Sequence, residues 1–413
     1  MKVTGLAGGH AIEHGGEAAD RLFAGLKSAA RVFNRRTLAV AGWAALLAGC
    51  QVIPKTETVS TGPDPATPTP QPSATALPSD AQRHRIALLV PMGGSTAEVG
   101  QSLANATTMA LLDTNANNLR ITTYDTSTGA GEAARKAIAD GNRLILGPLL
   151  AANIPAVQAA ARPAGVTAIS FSNDVAAASA DVLLMGHIPE QSIERTVRYA
   201  RDNGSNAFAA LVPEGDYGQR SYEAMRRALN AFGGNLVATE RYSRGNTSII
   251  SAAQRLRAGG GYDTVLIADG ARAGMQAAPE IKRDGAEGTR LLGTELWSGE
   301  ASLVRAPAVE GAIFSAVSDD RFARFAESYE SRFGGKPYRI ATLGYDAVLL
   351  TLRMAQDWEV GDAFPRAELY GRTFIGVDGA FRFQRSGVAE RALEVRKVTG
   401  GTIVEVEAAP SSF

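Results

Sequence analysis

The chain has 413 residues, of which 42 are Lys or Arg and 42 are Asp or Glu, so its formal charge is zero. That balance argues against a polyanion-binding surface and against nucleic acid as a partner, though not against a local charged patch. One cysteine and four histidines exclude an intrachain disulfide framework and a Cys- or His-rich metal centre.

Residues 1–49 read as an N-terminal extension followed by an export signal. Arg35 and Arg36 precede a charge-free apolar run at 38–48, which ends in Leu47-Ala48-Gly49-Cys50. A positive flank, a short apolar core and small residues at a processing point are the layout of such a signal. As a helix the run would rise only about 16 Å, against a hydrocarbon core of about 30 Å, too short to span. It also lacks the polar face of a core helix. The tetrapeptide resembles a bacterial lipobox. The resemblance implies that the Cys50 thiol is lipidated, becomes the mature N-terminus and anchors the chain to a membrane; the plain alternative is a small buried hydrophobe. By the same resemblance Gln51 after the cysteine implies the outer membrane. The glycines at 8, 9, 15 and 16 and acidic Glu13, Glu17 and Asp20 are unlike a signal, so translation is expected to start near Val32.

Residues 50–83 are the lipidated cysteine and a tether. Prolines at 54, 63, 65, 68, 70, 72 and 78 stand among Thr and Ser with few apolar residues, too few to offset ordering entropy. Extended as polyproline II the tether reaches roughly 100 Å; as a coil it averages about 30 Å.

From residue 84 to 413 strands and helices alternate. The apolar run at 85–90, ended by Pro91, reads as a strand buried on both faces. Val99, Leu103, Ala106 and Ala110 then recur at helical spacing. Further strands are expected at 119–124, 143–146, 166–171 and 182–185, with helices at 131–140 and 151–162. A second series follows: helix 190–202, strand 207–212, helix 219–232, strand 235–242, helix 247–258, strand 264–268, helix 272–284 and strands 290–293 and 311–316. Helices at 321–333 and 340–358 come next, then strands 379–383, 391–398 and 402–406, the last two joined by Gly400-Gly401 as a hairpin. The rhythm is that of doubly wound α/β sheets.

Four local features carry a resemblance: the opening strand into Pro91; Ile145-Leu146-Gly147-Pro148; Val212-Pro213-Glu214-Gly215-Asp216-Tyr217-Gly218; and Gly344-Tyr345-Asp346-Ala347. In this order they resemble the type 1 periplasmic binding-protein fold, Leu/Ile/Val-receptor branch. The implied fold is α/β with two lobes, each a mostly parallel sheet flanked by helices. Lobe 1 is expected at about 84–188 plus 338–360, and lobe 2 at about 189–337 plus 361–406.

The resemblance also implies ligand-contacting positions in the cleft between the lobes: Ser170, Ser172, Asn173, Asp216, Tyr217 and Glu295. Amino-acid-binding members usually place a hydroxyl after the Gly-Pro strand end, but Leu149-Leu150-Ala151-Ala152 stand there. For Ser170 and Asn173 the alternative is strand-end turn chemistry.

Two functions follow from the resemblance. Lipobox, tether and half-filled ligand set look like outer-membrane lipoprotein activators of penicillin-binding proteins. This implies a periplasmic regulator that binds a bifunctional penicillin-binding protein and activates peptidoglycan synthesis. No 34-residue repeat precedes the domain, so the likeness is confined to the C-terminal half of those proteins. The second reading is a lipid-anchored receptor for amino acids or small amides that feeds an ABC transporter. A receptor's cleft should converge several polar groups on one pocket.

No catalysis and no cofactor is expected. Gly129-Ala130-Gly131-Glu132-Ala133-Ala134 matches a dinucleotide fingerprint, but it does not follow the first strand and four residues separate it from its own. Gly100-Gln101-Ser102 lies at a helix start, not at a nucleophile's strand end. Asp319-Asp320 is expected to cap the next helix.

Overall fold

The computed structural model describes residues 82–410 and 413. Cys50, the export signal and the tether lie outside them. The described residues fall within a compact unit, Thr75–Phe413.

The chain enters on β1 (His84–Val90). Ile86 to Val90 are buried on both faces, which a continuous apolar run allows only in the middle of a covered sheet. There follow α1 (Ala97–Asp113), β2 (Leu119–Asp125), α2 (Ala130–Ala139), β3 (Leu144–Leu146), α3 (Ile154–Ala161), β4 (Thr167–Ser170) and β5 (Val182–Leu184). These strands form one parallel sheet in the order β2-β1-β3-β4-β5. The order reverses between β1 and β3, and such a reversal opens a crevice at the carboxyl ends of the strands.

The second lobe repeats the scheme. It contains α4 (Pro189–Asp202), β6 (Ala207–Pro213), α5 (Asp216–Phe232), β7 (Asn235–Tyr242), α6 (Ser248–Gly259), β8 (Thr264–Ile267), α7 (Ala271–Ile281), β9 (Arg290–Leu292) and β10 (Ile313–Ala316). The chain then forms α8 (Asp320–Phe333), α9 (Thr342–Met354), β11 (Thr373–Gly376), β12 (Gly379–Phe383) and β13 (Ala389–Arg391) before β14 (Glu394–Thr399) and β15 (Thr402–Glu407). The second sheet runs β15-β14-β10-β9-β8-β6-β7, with β14 and β15 antiparallel at its edge. Their turn is Gly400-Gly401, with φ of 58° and 75°, the conformation a two-residue hairpin needs and glycine adopts freely.

The lobe boundaries differ from those expected. The segment 320–337, expected in lobe 2, packs on lobe 1: Phe325 and Tyr329 of α8 close over Ala106 and Met109 of α1. Segment 361–391 does the same, since Phe374, Phe381 and Phe383 join the core of Ile86, Leu88 and Leu146. The reason is apolar complementarity. α9 lies on α1 through Leu343, Ala347 and Leu350, and the antiparallel sheet β11-β12-β13 covers the same hydrophobic face. Lobe 2 therefore regains the chain only at β14. Three crossings join the lobes: β5 to α4, β10 to α8, and β13 to β14.

Candidate functional site

A cleft of about 1090 Å³, part of it open solvent, lies between the lobes. Its lobe-1 wall comes from the carboxyl ends of β1, β3 and β4, through Val99, Leu149, Leu150, Phe171, Ser172 and Asn173. Glu295, Leu296, Ser298 and Glu300 follow β9 and form the lobe-2 wall. His187 and Arg339 lie at the bottom, beside the crossings.

The centre of the lobe-2 wall is Glu295. Gly293 is wedged against Trp297, where a Cβ would come within 2.4 Å of the indole, and the Thr294 hydroxyl accepts from Leu296 N–H to start the short turn at 295–297. The Tyr217 hydroxyl donates to Glu295 Oε1 at 3.0 Å and lies 3.1 Å from Thr294 Oγ1. Glu295 Oε2 is buried and has no hydrogen-bond partner. Burial pushes the Glu295 carboxyl up to about 7, and the Glu190 charge adds to this; its own N–H, the Tyr217 hydroxyl and the Arg220 charge pull the other way. Burial and the Glu295 charge hold the Tyr217 hydroxyl well above its ordinary value, so it remains a donor.

The other expected residues divide. Ser172 and Asn173 line the cleft. The Ser172 hydroxyl accepts from Asp174 N–H at 3.1 Å. The Asn173 carbonyl accepts from Arg220 of α5 at 2.6 Å, a contact between lobes. Ser170 does not reach the cleft. Its hydroxyl donates to the Pro148 carbonyl at 2.7 Å and accepts from Ser172 N–H, which is turn chemistry. Asp216 is also misplaced, exposed in the first turn of α5 and absent from the cleft wall.

Sequence reasoning missed the charged hinge beneath the cleft. Asp378 is fully buried between β11 and β12. Its Oδ2 lies 2.7 Å from His187 Nε2 and accepts from the Thr342 hydroxyl at 2.8 Å, while Oδ1 accepts from Arg339 Nη1 at 2.6 Å. Asp319 was expected to cap α8, but no side-chain cap bond forms there. Its carboxylate accepts instead from Arg396 and from Ser298 Oγ, and Arg339 Nε is 3.5 Å away. His187 and Asp378 stand in largely apolar stretches, but Asp319, Arg339 and Arg391 have polar neighbours, and no fixed spacing groups them. Among the described residues no cluster of His, Cys, Asp and Glu is placed to hold a metal ion, and no helix is long and apolar enough to cross a membrane.

Two α/β lobes, three crossings and a cleft at the strand ends define a class of bilobal binding proteins. Residues 84–402 match the family model for periplasmic binding proteins, and the chain belongs to that family. It is similar in fold to a leucine-binding protein from Thermotoga maritima (20% identity, TM-score 0.60, covering 79% of this chain and 99% of that one). It is also similar to a Rhodospirillum rubrum structure assigned to a branched-chain amino acid ABC transporter (19% identity, TM-score 0.69, covering 78% and 100%). Among curated proteins, an uncharacterised one from Rickettsia prowazekii is 29% identical over 173 residues, 41% of this chain and 46% of that relative. The match thus spans less than half of the relative's length. The family is one of periplasmic binding proteins. This favours the receptor reading over the expected activator of a penicillin-binding protein, for which these matches offer no support.

Proposed function

We propose that the chain is a lipid-anchored periplasmic receptor for a small amine-bearing solute, an amino acid or small amide with an apolar body, delivered to an ABC transporter. Glu295 carries this reading. A buried carboxylate oxygen without a partner costs free energy, and a ligand ammonium would supply the missing partner across from the Tyr217 hydroxyl. Leu149, Leu150, Phe171 and Leu296 offer the body of the ligand an apolar surface.

Calorimetry against apolar L-amino acids and their amides tests it. Glu295→Gln is expected to weaken binding about 10–100-fold, the worth of one charge-assisted hydrogen bond. An ammonium favours the ionised carboxylate and so lowers its pKa from about 7. Binding then releases a proton below neutral pH, and affinity rises toward pH 7 by at most about tenfold per unit before levelling off. Absence of heat across the whole set, or an affinity indifferent to Glu295→Gln, would sink the reading.

The anchor rests on the lipobox at Cys50 and the tether behind it. In cells, Cys50→Ala is expected to yield a folded chain in the soluble periplasmic fraction, with no palmitate label. A label that persists in the variant refutes the anchor.

A further inference from the structure

Beneath the cleft a second, narrower and more enclosed chamber opens between the three crossings. Its polar lining is His187, Gln191, Ser192, Glu295, Ser298, Arg339 and Arg391, and it shares His187, Glu295, Ser298 and Arg339 with the cleft above. The chamber is thus the floor of the cleft rather than a separate cavity.

Its guanidinium groups are under-used. The Arg391 side chain is 1% exposed. Nη2 donates to the Met185 carbonyl at 2.6 Å, but Nε and Nη1 have no acceptor. Arg391 Nη1 is 4.0 Å from Asp378 Oδ2, close enough for an ion pair but too far for a hydrogen bond, and that oxygen already meets His187 and Thr342. Arg339 Nε is also buried without a hydrogen bond, with the Asp319 carboxylate 3.5 Å away as an ion-pair partner. Arg391 and Arg339, two permanent cations, thus line one small space together with Glu295; Arg391 Nε and Nη1 lack acceptors there, as Glu295 Oε2 lacks a donor. Buried donors in this state are costly, and a guanidinium matches a carboxylate in geometry as well as charge.

Lobe 1 offers little competition for an anion. Leu149, Leu150 and Ala151 have no hydroxyl and the Ser170 hydroxyl is engaged, so on this wall only Thr96 and Ser172 contribute an O–H, and neither carries a charge.

Building on the receptor reading above, we propose that the hinge chamber is the anion subsite: the ligand's carboxylate seats against Arg391 and Arg339 while its ammonium rests on Glu295. The ligand enters head first, and its apolar body stays above among Leu149, Leu150 and Leu296. Ligand charge is then read at the hinge, from residues on β13 and the segment before α9, rather than on the lobe-1 wall.

Calorimetry on the mature chain tests this with apolar L-amino acids, the corresponding amides, and benzoate. In the unaltered chain each acid is expected to bind at least about tenfold more tightly than its amide. In Arg391→Lys and in Arg339→Lys, which keep the charge facing Asp378, that preference should shrink to about twofold while the unfolding temperature by calorimetry stays within a few degrees. Equal binding of acid and amide by the unaltered chain overturns the subsite and leaves the receptor reading standing. So does a preference that survives both lysine variants and disappears in Ser172→Ala. Binding of benzoate that depends on Arg391, with no binding of any amine-bearing probe, keeps the subsite and removes the amine from the reading. Silence from all three classes removes both.

Discussion

Asp378 and Asp346 are both fully buried, yet their environments set them apart. Asp378 is desolvated but surrounded by Arg339, His187 and Arg391, which hold its carboxyl well below the usual range. Asp346 is pushed up by burial and by the Asp378 charge. It serves as an acceptor for the N–H groups of Val377 at 2.6 Å and Asp378 at 3.3 Å. The two substitutions should therefore differ. Asp378→Asn strips the counter-charge from buried arginines, and loss of one partner of a buried pair costs about 3–5 kcal/mol. Asp346→Asn removes mainly one long hydrogen bond, worth about 1 kcal/mol. Urea unfolding at pH 7 measures both, and equal losses would contradict this division. The depressed pKa also fixes the pH dependence. Stability from Asp378 is present above the ordinary carboxyl value of 3.8 and is lost as pH falls through its folded value. The gap between the unaltered chain and Asp378→Asn should thus narrow below about pH 4.

The two lobes use the same join between their first strand and the helix that follows it. β1 runs into Pro91 and α1 brings Gly100 against it; β6 ends on Pro213 and α5 brings Gly218 against it. A Cβ at Gly100 would lie 1.8 Å from the Pro91 carbonyl oxygen, and one at Gly218 would lie 1.7 Å from that of Pro213. Only glycine lets each helix start directly on its strand end, and this brings the adjacent loop residues to the cleft side. Such elements were legible in the sequence because strand burial, proline and glycine leave local marks. The apolar runs at β1, β6 and β8 and the Gly400-Gly401 hairpin are cases. Which lobe an element joins was not legible. Periodicity tells that α8 has an apolar face, not that Phe325 and Tyr329 meet α1. The candidate site divides the same way. Glu295 and Tyr217 follow strand ends and could be picked out. Arg339, Asp378 and Arg391 lie on three different elements, and an arginine within an alternating strand reads as solvent-facing until the fold buries it.

At the scale of the whole molecule the cleft is a surface waiting to be covered. Leu150 from lobe 1 and Leu296 from lobe 2 both line it, 39% and 40% exposed. Arg220 already reaches across to the Asn173 carbonyl while paired with Glu190. Three short crossings permit hinge closure around a bound solute. Full burial of a leucine is worth about 1.5–3 kcal/mol, so covering the remaining two-fifths adds about 1 kcal/mol for each. That gain exists only when ligand and opposite lobe meet the side chain. It therefore belongs to binding and not to folding of the open form. Leu150→Ser with Leu296→Ser should weaken ligand binding about 10–30-fold by calorimetry, and the unfolding temperature without ligand should fall by only about 3–6 °C, from the three-fifths of each side chain already covered. Small-angle scattering should show the unaltered chain contracting as ligand is added. The double variant should reach the same contraction, but at a ligand concentration raised in proportion to its weaker affinity. A variant that binds as tightly as the unaltered chain would mean that these leucines stay uncovered in the bound state. A fall of many degrees in unfolding temperature would assign them to the folded core instead.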